Sequence, residues 1–526
     1  MPASLQKLPI GIQTFSRIRE GDFVYIDKTP MIAEMVHGAG RYFLSRPRRF
    51  GKSLLVDTLR CLFQGRKALF TGLYIENRWD WSVAYPVIKI DFADGNLHSL
   101  EALNARIDGL LRLNAEQLGI EEQSGWDLPG RFGALIRQAA KHYGQPAVVL
   151  IDEYDKPILD NIDQPDLAAQ MRDGLKNLYS VLKGQDEHLR FIFMTGVTKF
   201  SKVSLFSGLN QLRDLTLSQS FATLCGYTQA DLENQFAGHL QGVNWQQLKD
   251  WYNGYQFLGE PVYNPYDILL FISEGHRYRN YWFETGSPAF LIKLFQQRQY
   301  FLPDLEIIEV GEEILDSFDV ENISPITLLF QSGYLTIRES VTRFGGQPFY
   351  KLRHPNQEVR QSFATQLAGS YSQQPAEMRN KIQHHLHDAL ASGDLPALEA
   401  HIKALFAGIP WRTFTQNELA DNEGWYASVL YAFFSSLNAR ITPEDISHHG
   451  QADLTIELGD FIYVMEIKRD NRAEVQLQTP NPALQQIQAR GYSRKYLVSG
   501  KQVIELGLVF HTGSRNLVQM DGVRVA

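Results

Sequence analysis

The stretch Tyr42-Phe43-Leu44-Ser45-Arg46-Pro47-Arg48-Arg49-Phe50-Gly51-Lys52-Ser53, running straight into Leu54-Leu55, leaves the first part of this chain few ways to fold. Three apolar residues read as a buried strand, the basic stretch as a tight loop, and Gly51-Lys52-Ser53 as the opening of a helix. That order is the layout of a phosphate-binding loop. Backbone N–H groups at a helix start attract anions, a lysine there reaches terminal phosphates, and the neighbouring hydroxyl ligates magnesium. Arg48, Arg49, Phe50, Gly51, Lys52 and Ser53 are the expected nucleotide contacts, with Ser53 also a metal ligand. The strict pattern has a glycine where Arg46 stands, and Arg46 with Pro47 narrows the conformations open to the loop.

A second element supports the first. Val148-Val149-Leu150-Ile151-Asp152-Glu153 is an apolar strand ending in two acids. Asp152 is placed to hold the magnesium through water and Glu153 to polarise the attacking water. Apolar segments at 42–44, 87–91, 147–151 and 191–195 alternate with helical patterns at 54–63, 100–118 and 167–182. This rhythm predicts a parallel sheet covered on both faces. The last of these strands ends in Thr195, followed by Thr198 and Lys199. Thr195 is a candidate sensor of a γ-phosphate, and equally a strand-end threonine satisfied by backbone.

Composition narrows the remaining classes. With 44% hydrophobic and 21% charged residues the chain reads as soluble and globular. Its longest uninterrupted apolar run, 429–434, is far short of the ~18 residues a membrane helix needs. Nothing near Met1 resembles a signal peptide, and Cys61 and Cys225 are the 2 cysteines, so a reducing cytoplasm is the expected location. A net charge of −8 does not advertise nucleic-acid binding, which must then come from local patches. Between 226 and 405 the pattern is mostly helical. Asn264-Pro265 and Ser287-Pro288 mark helix starts, and Trp251-Tyr252-Asn253-Gly254-Tyr255 reads as core packing around an Asn-Gly turn. His384-His385, His387 and His448-His449 read as surface imidazoles.

The last segment, 406–526, opens with an amphipathic helix carrying Trp425, Tyr426, Val429, Leu430, Phe433, Phe434 and Leu437. Two strands, a helix and a final strand near 503–510 follow. The stretch 452–468 reads as a hairpin around Gly459-Asp460. With Leu458 facing Phe461, Asp453 lies directly opposite Glu466. The apolar residues then occupy one face, and Asp453, Glu466 and Lys468 the other. Two carboxylates across a ladder sit ~5 Å apart at Cβ and repel. A divalent cation between them, magnesium or manganese, removes the conflict. Lys468 is then placed to stabilise a charged phosphorane or help deprotonate water. Asp followed by Glu-x-Lys on adjacent strands is the constellation of metal-dependent nucleases.

Taken together, these motifs resemble the prokaryotic AAA-ATPase-like proteins. Leu8-Pro9-Ile10-Gly11, Tyr25-Ile26-Asp27-Lys28-Thr29 and the Arg46 to Ser53 loop match their opening. Asp152-Glu153-Tyr154-Asp155-Lys156-Pro157 matches their Walker B segment. Thr195 to Lys202, Phe206-Ser207-Gly208-Leu209-Asn210, Tyr252-Asn253-Gly254-Tyr255 and Tyr281-Trp282-Phe283-Glu284 continue the likeness along almost the whole chain. In that family Arg46 is an ordinary loop variant, and the C-terminal domain is usually a nuclease of the PD-(D/E)XK superfamily.

The resemblance implies an α/β fold in three parts: a P-loop NTPase parallel sheet over 1–225, a mostly helical middle region over 226–405, and a restriction-endonuclease-like α/β domain over 406–526. It implies ATP and Mg²⁺ as cofactors, with Mn²⁺ admitted at the nuclease site. The implied partner is nucleic acid, DNA before RNA; no membrane is involved, and a homo-oligomer is compatible. Glu423 resembles the helix acid that completes the metal site, and equally favours its helix dipole. Gln486 (or Gln488) and Tyr492 resemble the element that contacts substrate or the active-site lysine. Arg469, Arg472, Arg490, Arg494 and Lys495 together are candidates to track a phosphate backbone. The expected activity is an ATPase coupled to a nuclease in prokaryotic defence or DNA processing. The alternative is a signalling or assembly NTPase whose nuclease-like domain binds nucleic acid without cutting it. A helicase-like motor lacks a second set of motifs.

Overall fold

The computed structural model describes residues 5–38, 40–121, 125–200, 212–283, 291–292, 294–295, 300–316, 324–410 and 423–525. The Phe206 to Asn210 motif, Ser201-Lys202, Glu284 and the Ser287-Pro288 helix start lie outside these residues. The chain forms two compact units, one of residues 1–290, 310–350 and 354–356, the other of 291–309, 351–353 and 357–526. Among the described residues no helix is long and apolar enough to cross a membrane.

In the first unit five strands form one sheet: β1 (Arg41–Ser45), β2 (Val87–Asp91), β3 (Ala147–Asp152), β4 (Leu189–Gly196) and β5 (Arg213–Asp214). Their order is β2-β3-β4-β1-β5 and every pair is parallel. All of β3 is buried, as a sheet covered on both faces requires. β4 separates β1 from β3, so the loop after β1 and the acids after β3 open towards one sheet end without being neighbours. Helix α1 (Lys52–Phe63) packs on β3, and α2 (Leu100–Leu118) on β2. The two-residue β5 was missed by the sequence because so short an edge strand has no alternation to read.

The helical region of this unit includes α3 (Gln229–Gln235), α4 (Trp245–Tyr252) and α5 (Pro265–Ser273). The Asn264 side chain accepts the Tyr266 N–H at 2.9 Å, with Pro265 in the first turn. Leu232, Phe236, Leu248, Tyr252 and Ile268 pack with Val24 and Ile26 in one core. Gly254 is required in its turn. Its φ is +121°, and a Cβ there would sit 2.0 Å from the Pro355 carbonyl oxygen.

The second unit contains helices α6 (Gln357–Ser372), α7 (Ala376–Ser392), α8 (Leu395–Ala407) and α9 (Glu423–Ser436). Its sheet has strands β6 (Arg440–Ser447), β7 (Gly450–Leu458), β8 (Phe461–Asp470), β9 (Gln502–His511) and β10 (Asn516–Arg524), in the order β10-β9-β8-β7-β6. Helix α10 (Pro482–Arg490) carries the chain from β8 to β9, which pair in parallel; the other pairs are antiparallel. Leu458 faces Phe461 and Leu454 faces Met465, the register the hairpin reading requires.

Two expectations about this sheet are corrected. It has two further strands, β6 and β10. Both are edges, one holding Pro443 and the other Asp521-Gly522, residues tolerated at an edge because no second neighbour needs their pairing. The apolar residues also do not keep to one face. Ile462 and Val464 share the Glu466 face and are buried with Ile487 and Tyr492 beneath α10. The face that holds the acids is therefore covered.

Candidate nucleotide and metal sites

Gly51, in the left-handed region at φ +89°, ends the loop, and α1 starts at Lys52. The loop curls around that lysine, whose Nζ donates to the carbonyls of Arg46 and Pro47, both at 2.9 Å. Lys52 is 7% exposed. Burial lowers its pKa, while Asp152, Asp155 and Glu153 oppose the shift. Asp152 Oδ1 accepts the Glu153 N–H at 3.0 Å, and Oδ2 is buried with no hydrogen-bond partner. Burial and then Asp91 push the Asp152 carboxyl up; Ser53, Lys52 and Lys89 pull it down. Glu153 sits at φ +50°, an uncommon conformation for a non-glycine, and burial followed by Asp152 raises its pKa.

These groups open into a cleft of about 480 Å³. Arg48, Arg49, Lys52, Ser53 and Glu153 line it together with the apolar Ile12, Tyr227 and Leu269. The volume and the mixed lining suit a mononucleotide. The orphaned Asp152 oxygen beside Ser53 fits a hard divalent cation.

The expected contacts of the loop divide. Arg48 and Arg49 are exposed at the cleft, and the Arg49 guanidinium lies over the Tyr266 ring at 4.9 Å. Phe50 does not point there; its ring is buried edge-on to Tyr255 at 4.8 Å, leaving only its backbone for phosphate. Thr195 is fully buried and donates its hydroxyl to the Leu44 carbonyl at 2.8 Å, so of its two readings the geometry favours the satisfied threonine.

Arg46, the loop's unusual residue, is fully buried and turned away from the cleft. Its guanidinium donates to the carbonyls of Ser45 and Thr216 at 2.9 Å and Phe221 at 3.2 Å, and lies 3.9 Å from the Phe257 ring centre. Burial lowers its pKa to about 10. It fastens the start of the loop to the chain that follows β5, a role no glycine could fill.

In the second unit Glu466 is 1% exposed. Its Oε1 accepts Lys468 Nζ at 2.7 Å and the Gln486 amide, whose nitrogen is 3.4 Å from the Tyr492 hydroxyl. Glu466 Oε2 is buried with no partner. Asp453 Oδ2 accepts the Ile467 N–H at 2.6 Å, placing this acid just past the last ladder pair. Burial and then Asp453 push the Glu466 carboxyl up to about 7, against the pull of Lys468. Burial also raises Asp453 and Glu423. The geometry thus unites Asp453, Glu466, Lys468, Gln486 and Tyr492.

Glu423 stands further off, with Oε1 3.9 Å from Lys468 Nζ, so the lysine lies between the two glutamates. Among the described residues no three His, Cys, Asp or Glu side chains form a metal-holding group. The donor set read here is two acids, with the orphaned Glu466 oxygen marking where positive charge is wanting.

Residues 9–206 match the family described as a predicted AAA-ATPase, and residues 421–520 match the PD-(D/E)XK nuclease superfamily. A protein of Azotobacter chroococcum mcd 1, named "Uncharacterized protein in vnfD 5'region", is 45% identical over 516 residues, 98% of each chain. The chain belongs to the AAA-ATPase-like family. Its C-terminal part is a PD-(D/E)XK superfamily domain. Among solved structures, the Aeropyrum pernix ORC1 protein in complex with DNA covers 64% of this chain and 91% of its own at 12% identity, with a TM-score of 0.26, too weak a likeness to support inference.

Two residues of this AAA-ATPase-like chain escaped the sequence reading. Asp155 is buried and accepts the Thr198 N–H and hydroxyl, both at 2.6 Å, and the Val197 N–H at 3.0 Å. It ties the turn after β3 to the segment after β4. Asp445 accepts the hydroxyls of Thr455 and Tyr496, both at 2.7 Å, and also Lys495. The signal for Asp155 was its place in the Walker B segment; for Asp445 there was none, because its strand was unseen. Of the basic cluster, Arg472 grips Asp470 with two bonds of 2.9 and 2.7 Å, holding that carboxyl down at about 2. His385 stacks on His401 at 4.7 Å.

Proposed function

We propose that the protein binds and hydrolyses ATP, and that its second unit is a divalent-metal-dependent nuclease acting on DNA, in a prokaryotic defence or DNA-processing role. The observation that carries the nuclease half is Glu466, a nearly inaccessible carboxylate with one orphaned oxygen, beside Asp453 and Lys468. A module that only bound nucleic acid would gain nothing from two carboxyls both raised by burial, one of them also by the other's charge. Metal at this site would supply charge neutralisation and an acidified water. Asp453 and Glu466 would hold it, Lys468 would face the phosphate, and Gln486 and Tyr492 would fix the Glu466 carboxylate.

In the first unit Lys52 and the α1 N-terminus would bind the phosphates, Ser53 and Asp152 the magnesium, and Glu153 would take a proton from water. The functional division proposed is 1–225, 226–405 and 406–526, with the cytoplasm as location. One assay tests the reading: purified protein with plasmid, linear and single-stranded DNA and with RNA, with and without ATP and each divalent metal. Metal-dependent cleavage supports it. Retained nucleic-acid binding with no cleavage under every condition would favour the non-cutting NTPase.

A further inference from the structure

The Glu466 site continues into an exposed strip of the second unit. Tyr492, bonded through Gln486 to Glu466, also faces the β6–β7 tip: a Cβ on Gly450, at φ +139°, would lie 3.0 Å from its hydroxyl. Arg490 Nη1 donates to the His449 carbonyl at 3.0 Å, and Lys495 Nζ to that of Ile446 at 2.8 Å. The tip and the segment after α10 are thus one surface.

Its composition is unusual for this chain. From 488 to 501 there are four basic residues and no acid; Lys495 and Lys501 pair with Asp445 and Glu457 of the sheet, so the charge available to a ligand is that of Arg490 and Arg494. Bare aliphatics stand among those charges: Ile446 is 75% exposed, Val498 91% and Leu497 46%. Adjacent exposed aliphatics such as Leu497 and Val498 are a feature of contact surfaces. Guanidinium groups next to projecting aliphatic side chains match a polymer that is anionic along its backbone and apolar across its bases.

We propose that this strip is a nucleic-acid contact surface, with Arg490 and Arg494 meeting phosphates and Ile446 and Val498 pressing against bases, so that DNA is opened beside Glu466. It rests on the nuclease reading above. A lipid surface would satisfy the same pairing of groups, but continuity with the Glu466–Gln486–Tyr492 chain favours DNA.

The test uses full-length Lys468→Ala protein as the uncleaving parent, with duplex and single-stranded oligonucleotides carrying 2-aminopurine. Binding should raise the fluorescence as bases unstack. Ile446→Ser combined with Val498→Ser, checked by thermal melt, should lose that rise and bind roughly tenfold more weakly. Arg490→Ala with Arg494→Ala should flatten the dependence of log affinity on log salt by about 2. If the serine pair binds DNA with unchanged affinity and fluorescence, the surface is wrong while the nuclease reading stands. If the parent binds no DNA at all, both fall. Loss of phosphatidylserine-vesicle binding in the serine pair, with DNA binding intact, overturns the proposal in favour of a membrane.

Discussion

The two units each set a lysine against two carboxylates, and the difference lies in what the lysine touches. Lys52 donates to two loop carbonyls, and the acids after β3, on a strand that β4 separates from β1, act on it through their charge. An open cleft lies at this sheet end. Lys468 instead sits two residues along the strand from Glu466 and bonds it at 2.7 Å. That bond offsets one of the two acids, so the metal proposed there would compete with the lysine. The parallel sheet leaves its lysine beside an open cleft; the hairpin, alternating acid and lysine, lets the lysine close on the neighbouring acid.

The largest effects should separate the units completely. Asp453→Ala and Glu466→Ala should each cut DNA cleavage on the order of 10³-fold, the double variant being no worse and ATP turnover unchanged. Glu153→Gln should bind ATP yet hydrolyse it roughly 10²- to 10⁴-fold more slowly. Equal hydrolysis by wild type and Glu153→Gln would sink that role.

Next come the lysines. Lys52→Ala should weaken nucleotide binding by roughly 10- to 100-fold, as loss of a charge-assisted bond implies. Lys468→Ala should lose cleavage but gain at least as much melting temperature from manganese as wild type, because its competitor for Glu466 is gone. If manganese stabilises Asp453→Ala as much as wild type, the two-acid site is wrong.

Arg46→Gly restores the loop's usual residue and should nonetheless destabilise the protein by about 2–4 kcal/mol, since three carbonyls lose their donors and a buried stack is emptied. Denaturant unfolding checks this; unchanged stability would mean that the buried guanidinium holds nothing.

A smaller effect concerns pH. Glu466 titrates near 7 in the folded protein, above its ordinary 4.5. The folded state therefore holds this proton more tightly than the unfolded chain. Without metal its contribution to stability is greatest below pH 4.5 and is lost as pH rises towards 7. The wild type minus Glu466→Gln difference in unfolding free energy isolates it, and a flat difference between pH 4.5 and 7 would contradict the buried carboxylate. Smallest of all, Thr195→Val should leave ATP turnover unchanged and cost about 1 kcal/mol, because its hydroxyl serves the Leu44 carbonyl.

Local order along the chain was enough for much of this. Strand, loop and Gly51-Lys52-Ser53 are contiguous, and the acids after Ile151 end an unbroken apolar run, so backbone direction alone aims them at the same sheet end. The β7–β8 register followed from a two-residue turn and period-two alternation, which fix partners without any distant contact. Those same rules placed Asp453, Glu466 and Lys468 together. What sequence could not decide were the contacts made by residues far apart in the chain. Arg46 looked like a loop constraint until Thr216, Phe221 and Phe257 took its guanidinium. Thr195 was open between two readings until Leu44, on the neighbouring strand, accepted its proton. Glu466 was placed opposite Asp453 by register, but that α10 covers it could not be read, and burial gives the carboxyl its raised affinity for protons. Period and turn chemistry act over a few residues and are written in order along the chain; burial depends on which distant element lands on top, and only the folded protein settles that.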